Sequence, residues 1–141
     1  MKKRLVLASM ILLFVASFSA CKKQDEETKP LREKMLGKWQ VNKIDITTYT
    51  SDGKSATVST SYAPTDYIDF KNNESDDFEL GLGNTRSVGT FTSSVDNTFY
   101  LDFSSKDLMC GPPLITVNQL QFTGTVVGAN PKVTETYYLS R

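Results

Sequence analysis

The chain has 141 residues, with 16 Lys and Arg balancing 16 Asp and Glu, and no histidine. That length suits one domain around one core, and the balanced charge lacks the clustered cations that displace counterions from phosphate, so no nucleic-acid partner is expected. Without histidine the commonest general base and metal ligand is missing, a Ser-His-Asp or Cys-His arrangement cannot be built, and no catalytic residue, metal site or cofactor is expected.

The chain opens in three parts: cationic Lys2, Lys3 and Arg4, an apolar run over residues 5–18, and small Ser19 and Ala20 ahead of Cys21. This is the pattern of a cleaved secretory signal peptide over residues 1–20. The run falls short of the roughly 20 apolar residues that cross ~30 Å of hydrocarbon. Phe18, Ser19, Ala20 and Cys21 resemble the lipobox of bacterial lipoproteins, with Phe18 where Leu is usual. The resemblance implies that the Cys21 thiol takes a diacylglycerol and further acyl chains; an unmodified exported thiol is the alternative. Two or more acyl chains, at ~0.8 kcal/mol per buried CH₂, anchor stably, which makes a membrane the expected first partner.

Lys22 rather than Asp follows Cys21, so the familiar inner-membrane retention signal is absent and the implied address is the bacterial outer membrane. Residues 21–30 lack side chains to bury and read as a hydrated tether. Its Asp25, Glu26 and Glu27 either resemble the export signal of surface-exposed lipoproteins or simply keep the linker solvated. Processing removes three cations and leaves a net charge near −3. With Cys21 acylated, Cys110 has no partner for an intramolecular disulfide.

A short helix is expected over residues 30–36, with Pro30 in its first turn, Leu31 and Met35 on one face, and Gly37 free to take the left-handed conformation that ends it. Period two then takes over. Trp39 and Val41 share one parity and Ile44 and Ile46 the other, so a bulge near Asn42 and Lys43 would return all four to one side. Asp52 and Gly53 offer a hairpin turn into a second strand over residues 56–62. Beyond Pro64, Ile68 and Phe70 mark a third strand, and Phe78, Leu80 and Leu82 a fourth.

Residues 88–92 and the alternating Phe99, Leu101 and Phe103 give a fifth and sixth strand. Leu120, Phe122 and Val126 mark a seventh, with a short strand at Ile115 and Val117 as a possible forerunner. Residues 132–141 form the last strand, with Val133, Tyr137 and Leu139 on one face. Some eight short strands without crossover helices predict an all-β fold, an antiparallel up-and-down barrel with a short N-terminal helix over residues 31–141; a two-sheet sandwich is the alternative.

A short helix followed by Leu36, Gly37, Lys38 and Trp39 resembles the G-x-W signature of lipocalins, most closely the small lipocalin-like domains of Gram-negative bacterial lipoproteins. Their barrels tend to end on an aromatic strand with a terminal basic residue, as Tyr137, Tyr138, Leu139, Ser140 and Arg141 do here. The resemblance implies that Arg141 packs over Trp39 at the closed end, making Gly37, Trp39 and Arg141 a barrel-floor signature. A guanidinium over an indole would contribute ~0.5 to 2 kcal/mol.

The aromatics Tyr62, Phe70, Phe78, Phe91, Phe99, Phe103, Phe122 and Tyr137 either line a pocket for a small apolar ligand or fill the barrel. If they fill it, an envelope protein docked on the loops becomes the expected partner. Residues 104–113 form the longest connection and a candidate lid or partner surface, in which Cys110 has no neighbouring histidine or cationic cluster to activate it. The acidic residues 72–77 lack the spaced ligands of a calcium loop and read as a solvated hairpin.

Overall fold

The computed structural model describes residues 28–141. The signal peptide expected over residues 1–20 and most of the tether, Cys21 included, lie outside the described residues.

The chain begins its fold with helix α1, Leu31–Met35, whose buried Leu31 and Met35 face the core as their spacing requires. Gly37 then takes φ of +98°, a conformation open to a residue without a Cβ, and turns the chain directly into β1, Gly37–Tyr49. The hairpin expected at Asp52 and Gly53 forms, with Gly53 at φ +80°, and leads to β2, Ser55–Ser61. The remaining strands are β3 Tyr67–Phe70, β4 Asp77–Leu82, β5 Thr85–Ser93, β6 Phe99–Phe103, β7 Asp107–Cys110, β8 Leu114–Ile115, β9 Gln119–Val126 and β10 Val133–Ser140.

Every pairing is antiparallel, in the order β10, β1, β3, β4, β5, β6, β7, β9, and β9 pairs with β10 to close an eight-stranded barrel. The register shift between Val41 and Lys43 is the expected bulge. It puts Trp39, Val41 and Ile44, all at most 4% exposed, on the inner face of one continuous strand.

Two strands differ from the expected course. Residues 104–113 are not a long connection, because their middle forms β7, which pairs with β6 and β9 and buries Leu108 and Cys110 in the wall. Only four residues separate Lys106 from the Gly-Pro-Pro that follows, too few for the alternation to stand out alone. β2 likewise departs from the expected course and stands beside the wall instead of within it. One edge of the long β1 serves two neighbours: Gly37–Gln40 pair with β3, and Lys43–Tyr49 pair with β2. Every residue of β2 is exposed, since Val58 is its one sizeable apolar side chain.

Inside, Phe91, Phe70, Phe78 and Phe103 form one run of tilted or edge-to-face rings with centroids 4.7–6.2 Å apart. Phe99 meets Phe122 edge-on at 5.1 Å, and Phe122 stacks on Tyr137 at 4.8 Å. Both runs climb from the closed end toward the mouth, filling the lower barrel with side chains whose burial contributes about 1.5–3 kcal/mol each. Gly89 makes room for them: a Cβ there would lie 2.0 Å from the Asp102 carbonyl oxygen and 2.8 Å from the Phe78 ring.

Candidate functional site

At the closed end the Trp39 indole N–H donates to the Met35 carbonyl at 2.7 Å, tying α1 to β1. The Arg141 guanidinium lies 3.7 Å from the centre of the Trp39 ring and donates to the Leu36 carbonyl. Arg32 Nε donates to Asp76 Oδ1 at 2.7 Å, clamping α1 to the turn between β3 and β4. In that acidic turn Asn73 and Asp77 bond each other, with Asn73 Nδ2 donating to Asp77 Oδ2 at 2.7 Å. Among the described residues no group of three or more acidic or cysteine side chains converges as a metal ligand set. Gly37, Trp39, Arg141 and the helix therefore seal a floor. A hollow of about 450 Å³ beside α1, lined by Lys29, Glu33, Lys34, Arg141 and residues 115–117, is separate from the barrel interior.

The opposite end is open. A cavity of about 290 Å³ enters between the upper half of β1, the β4–β5 hairpin and the β6–β7 turn. Ile44, Ile46, Leu80, Leu82 and Phe103 make its apolar walls, with Thr85 and Ser87 on one side and Tyr62 on the other. Buried Asp66 sets this lip: its carboxylate accepts the Gly83 N–H at 2.6 Å and the Ala63 N–H at 2.7 Å, holding the β2–β3 connection against the β4–β5 turn.

A polar cluster lies in the same cavity. Glu135 on β10 points inward and is 5% exposed, and its two carboxylate oxygens have separate partners. Lys106 from the β6–β7 turn pairs with Oε1, and the Tyr137 hydroxyl donates to Oε2 at 2.7 Å. Burial pushes the Tyr137 hydroxyl well above the usual tyrosine value, and the neighbouring Glu135 charge adds to it. Burial likewise drives the Cys110 thiol up to about 12, with Glu135 adding a smaller push, so it is held as an inert thiol. Tyr62 is raised in the same direction, first by burial and then by Asp66.

Of the eight aromatics singled out in the sequence, Tyr62, Phe103 and Tyr137 border the cavity. Phe70, Phe78, Phe91, Phe99 and Phe122, each at most 2% exposed, are packed below it. Glu135 and Lys106 are the residues that the pattern alone did not single out. A signal existed for Glu135, which shares the inward parity of Val133, Tyr137 and Leu139 and places a carboxylate on an apolar face. Lys106 carried none, because its partner is 29 residues away.

The fold and cavity define an eight-stranded antiparallel barrel with a sealed floor and an open, mostly apolar mouth. Neither a protein-family model nor a curated protein matches the chain. A solved structure of a redesigned beta barrel aligns over 81% of this chain and 96% of its own, at 16% identity and a TM-score of 0.33, too distant to carry a functional argument.

Proposed function

We propose that this protein is a lipid-anchored, lipocalin-like lipoprotein of the bacterial outer membrane that binds a small, uncharged, largely apolar molecule in the mouth of its barrel. The observation that carries the binding half is the 290 Å³ cavity, with apolar walls around one already neutralised ion pair. Lys106 and Glu135 balance each other, so a charged ligand would bring a third charge, without a counter-charge, into a low-dielectric site. A neutral ligand with one polar end could accept from Lys106 while its body covers Ile44, Leu80 and Phe103. The anchoring half is supported by Phe18, Ser19, Ala20 and Cys21, and the non-catalytic reading by the absence of histidine from the chain.

A second reading is an accessory protein that docks to an envelope complex through its loops. It draws on the filled lower barrel, where five of the eight aromatics are packed and take no part in the cavity.

Fluorescence separates the two. The uncharged probe N-phenyl-1-naphthylamine should brighten and saturate on the purified full chain, and the anionic anilinonaphthalene sulfonate should bind more weakly. Ser87→Trp, which fills the cavity from its wall, should abolish the signal. A neutral probe that binds wild type and Ser87→Trp equally would refute the binding reading. For the anchor, the mass of the N-terminal peptide from native membranes should carry acyl chains on Cys21.

A further inference from the structure

The geometry points to a homodimer built by antiparallel pairing of β2 with β2 of a second copy. Among the described residues β2 pairs with β1 alone, so its other edge presents backbone groups to solvent. Which groups these are follows from the ladder. The Tyr62 N–H donates to the Asn42 carbonyl and the Thr50 N–H to the Lys54 carbonyl, so residues 42 and 62, and residues 50 and 54, are hydrogen-bonded pairs. Alternation then aims the amides of Ala56, Val58 and Thr60 at β1 and those of Ser55, Thr57, Ser59 and Ser61 outward.

Natural sheets guard such an edge with charges, proline or a very short strand. β2 has seven residues and, within Ser55–Ser61, neither a charged side chain nor a proline.

The occupant is a second copy because the strand complements itself. Ser-Ala-Thr-Val-Ser-Thr-Ser is nearly symmetric about Val58. A two-fold axis there sets Ser55 opposite Ser61 and Thr57 opposite Ser59, the outward-facing pairs, and forms about eight new backbone hydrogen bonds. Val58, 65% exposed, then meets its own copy in a non-hydrogen-bonded pair, where Cα atoms approach to about 4.5 Å. Ile46, its cross-strand neighbour at 41% exposed, flanks the contact on the same face.

No like charges meet in this register, because the first charged residue, Lys54, falls opposite Tyr62 of the second copy. A direct cross-strand Lys–Tyr pair already occurs within the chain, where Lys43 Nζ lies 4.1 Å from the Tyr138 ring. On the outer face the Thr47 and Thr57 hydroxyls, 2.8 Å apart, would continue into Ser59 of the second copy. The joined sheet runs β10, β1, β2, then β2, β1, β10 of the second copy, and places the two mouths side by side.

Cysteine trapping in native membranes tests this on the full chain, with wild type as the baseline for Cys21 and Cys110. Val58→Cys, oxidised in place, should give a disulfide-linked species of twice the monomer mass on a non-reducing gel. Val88→Cys, on an equally exposed valine of β5 at 59%, should not. Adding Ser59→Pro to Val58→Cys removes an outward N–H that the monomer does not use, so the band should vanish while circular dichroism stays unchanged. Val58→Gly would report the same loss if Ser59→Pro failed to fold, read by chemical cross-linking of the otherwise wild-type chain. Equal bands from Val58→Cys and Val88→Cys, a dimer that survives Ser59→Pro, or trapping to a protein of another mass would overturn the second-copy assignment.

Discussion

At Glu135 a carboxylate sits on a face whose other members are apolar, and two partners make that tolerable: Lys106 on one oxygen and the Tyr137 hydroxyl on the other. Removing one partner of a buried pair leaves the desolvation of the remaining charge uncompensated, a loss of about 3–5 kcal/mol when both are fully buried. The Lys106 side chain is 31% exposed, so solvent screening discounts this. Lys106→Met should cost about 2 kcal/mol in urea unfolding. Glu135→Gln, which removes the buried charge while its amide oxygen can still accept from the Tyr137 hydroxyl, should cost clearly less, a contrast that a purely steric role would not produce. Gly89 is constrained by space instead of charge. Its missing Cβ would overlap a main-chain carbonyl on β6, which cannot rotate away. Gly89→Ala should therefore destabilise the fold by about 1–3 kcal/mol, as over-packing does, seen as a lower urea midpoint with the slope retained.

At the scale of elements, α1 has five residues, too few to persist alone, and stays in place through what it touches. Leu31 and Met35 enter the core, Trp39 bonds the Met35 carbonyl, Arg141 bonds the Leu36 carbonyl, and Arg32 reaches Asp76. Arg141→Ala should remove the cap over Trp39, costing about 1 kcal/mol and raising hydrogen exchange at α1 amides more than at β6. If β6 and α1 respond alike, the floor is not a separable unit. The helix, the bulge after Val41 and the Gly53 hairpin were legible because each rests on residues within a few positions of one another. β7 was not, since a four-residue strand gains its stability from β6 and β9 on either side. The place of β2 beside the wall depends on β3 competing for the same edge of β1, which no local pattern encodes.

For the molecule as a whole, the resolved shifts of its buried groups lie on the alkaline side. Cys110 is raised from about 9 to about 12, and Tyr137 well above its ordinary value near 10, both first by burial. A raised folded-state value means the neutral form is favoured in the fold. The stabilisation is complete below the ordinary thiol value and is lost as pH climbs through the folded one. Stability should fall steadily from about pH 9 toward pH 12, and Tyr137→Phe with Cys110→Ala should flatten that decline. Asp45, Asp52 and Asp96 are lowered, Asp45 first by the Ser59 hydroxyl and then by Lys43, so their contributions fade in acid. Asp52 and Asp96 are solvent-exposed and Asp45, part-buried, is the one screened least, so the acid limb should be shallower than the alkaline one and should rest mainly on Asp45.

By itself the sequence determined the alternation of the main strands, the turn positions outside residues 104–113, the inward set of aromatics and the helix that precedes Trp39, because each of these follows from the periodicity and turn chemistry of neighbouring residues. Only the tertiary structure decided which strands meet in the wall, that five of the aromatics pack below the mouth while three border it, and that Lys106 reaches Glu135. Closure brings together side chains distant in sequence, and the space left between them depends on how every strand of the wall is registered at once.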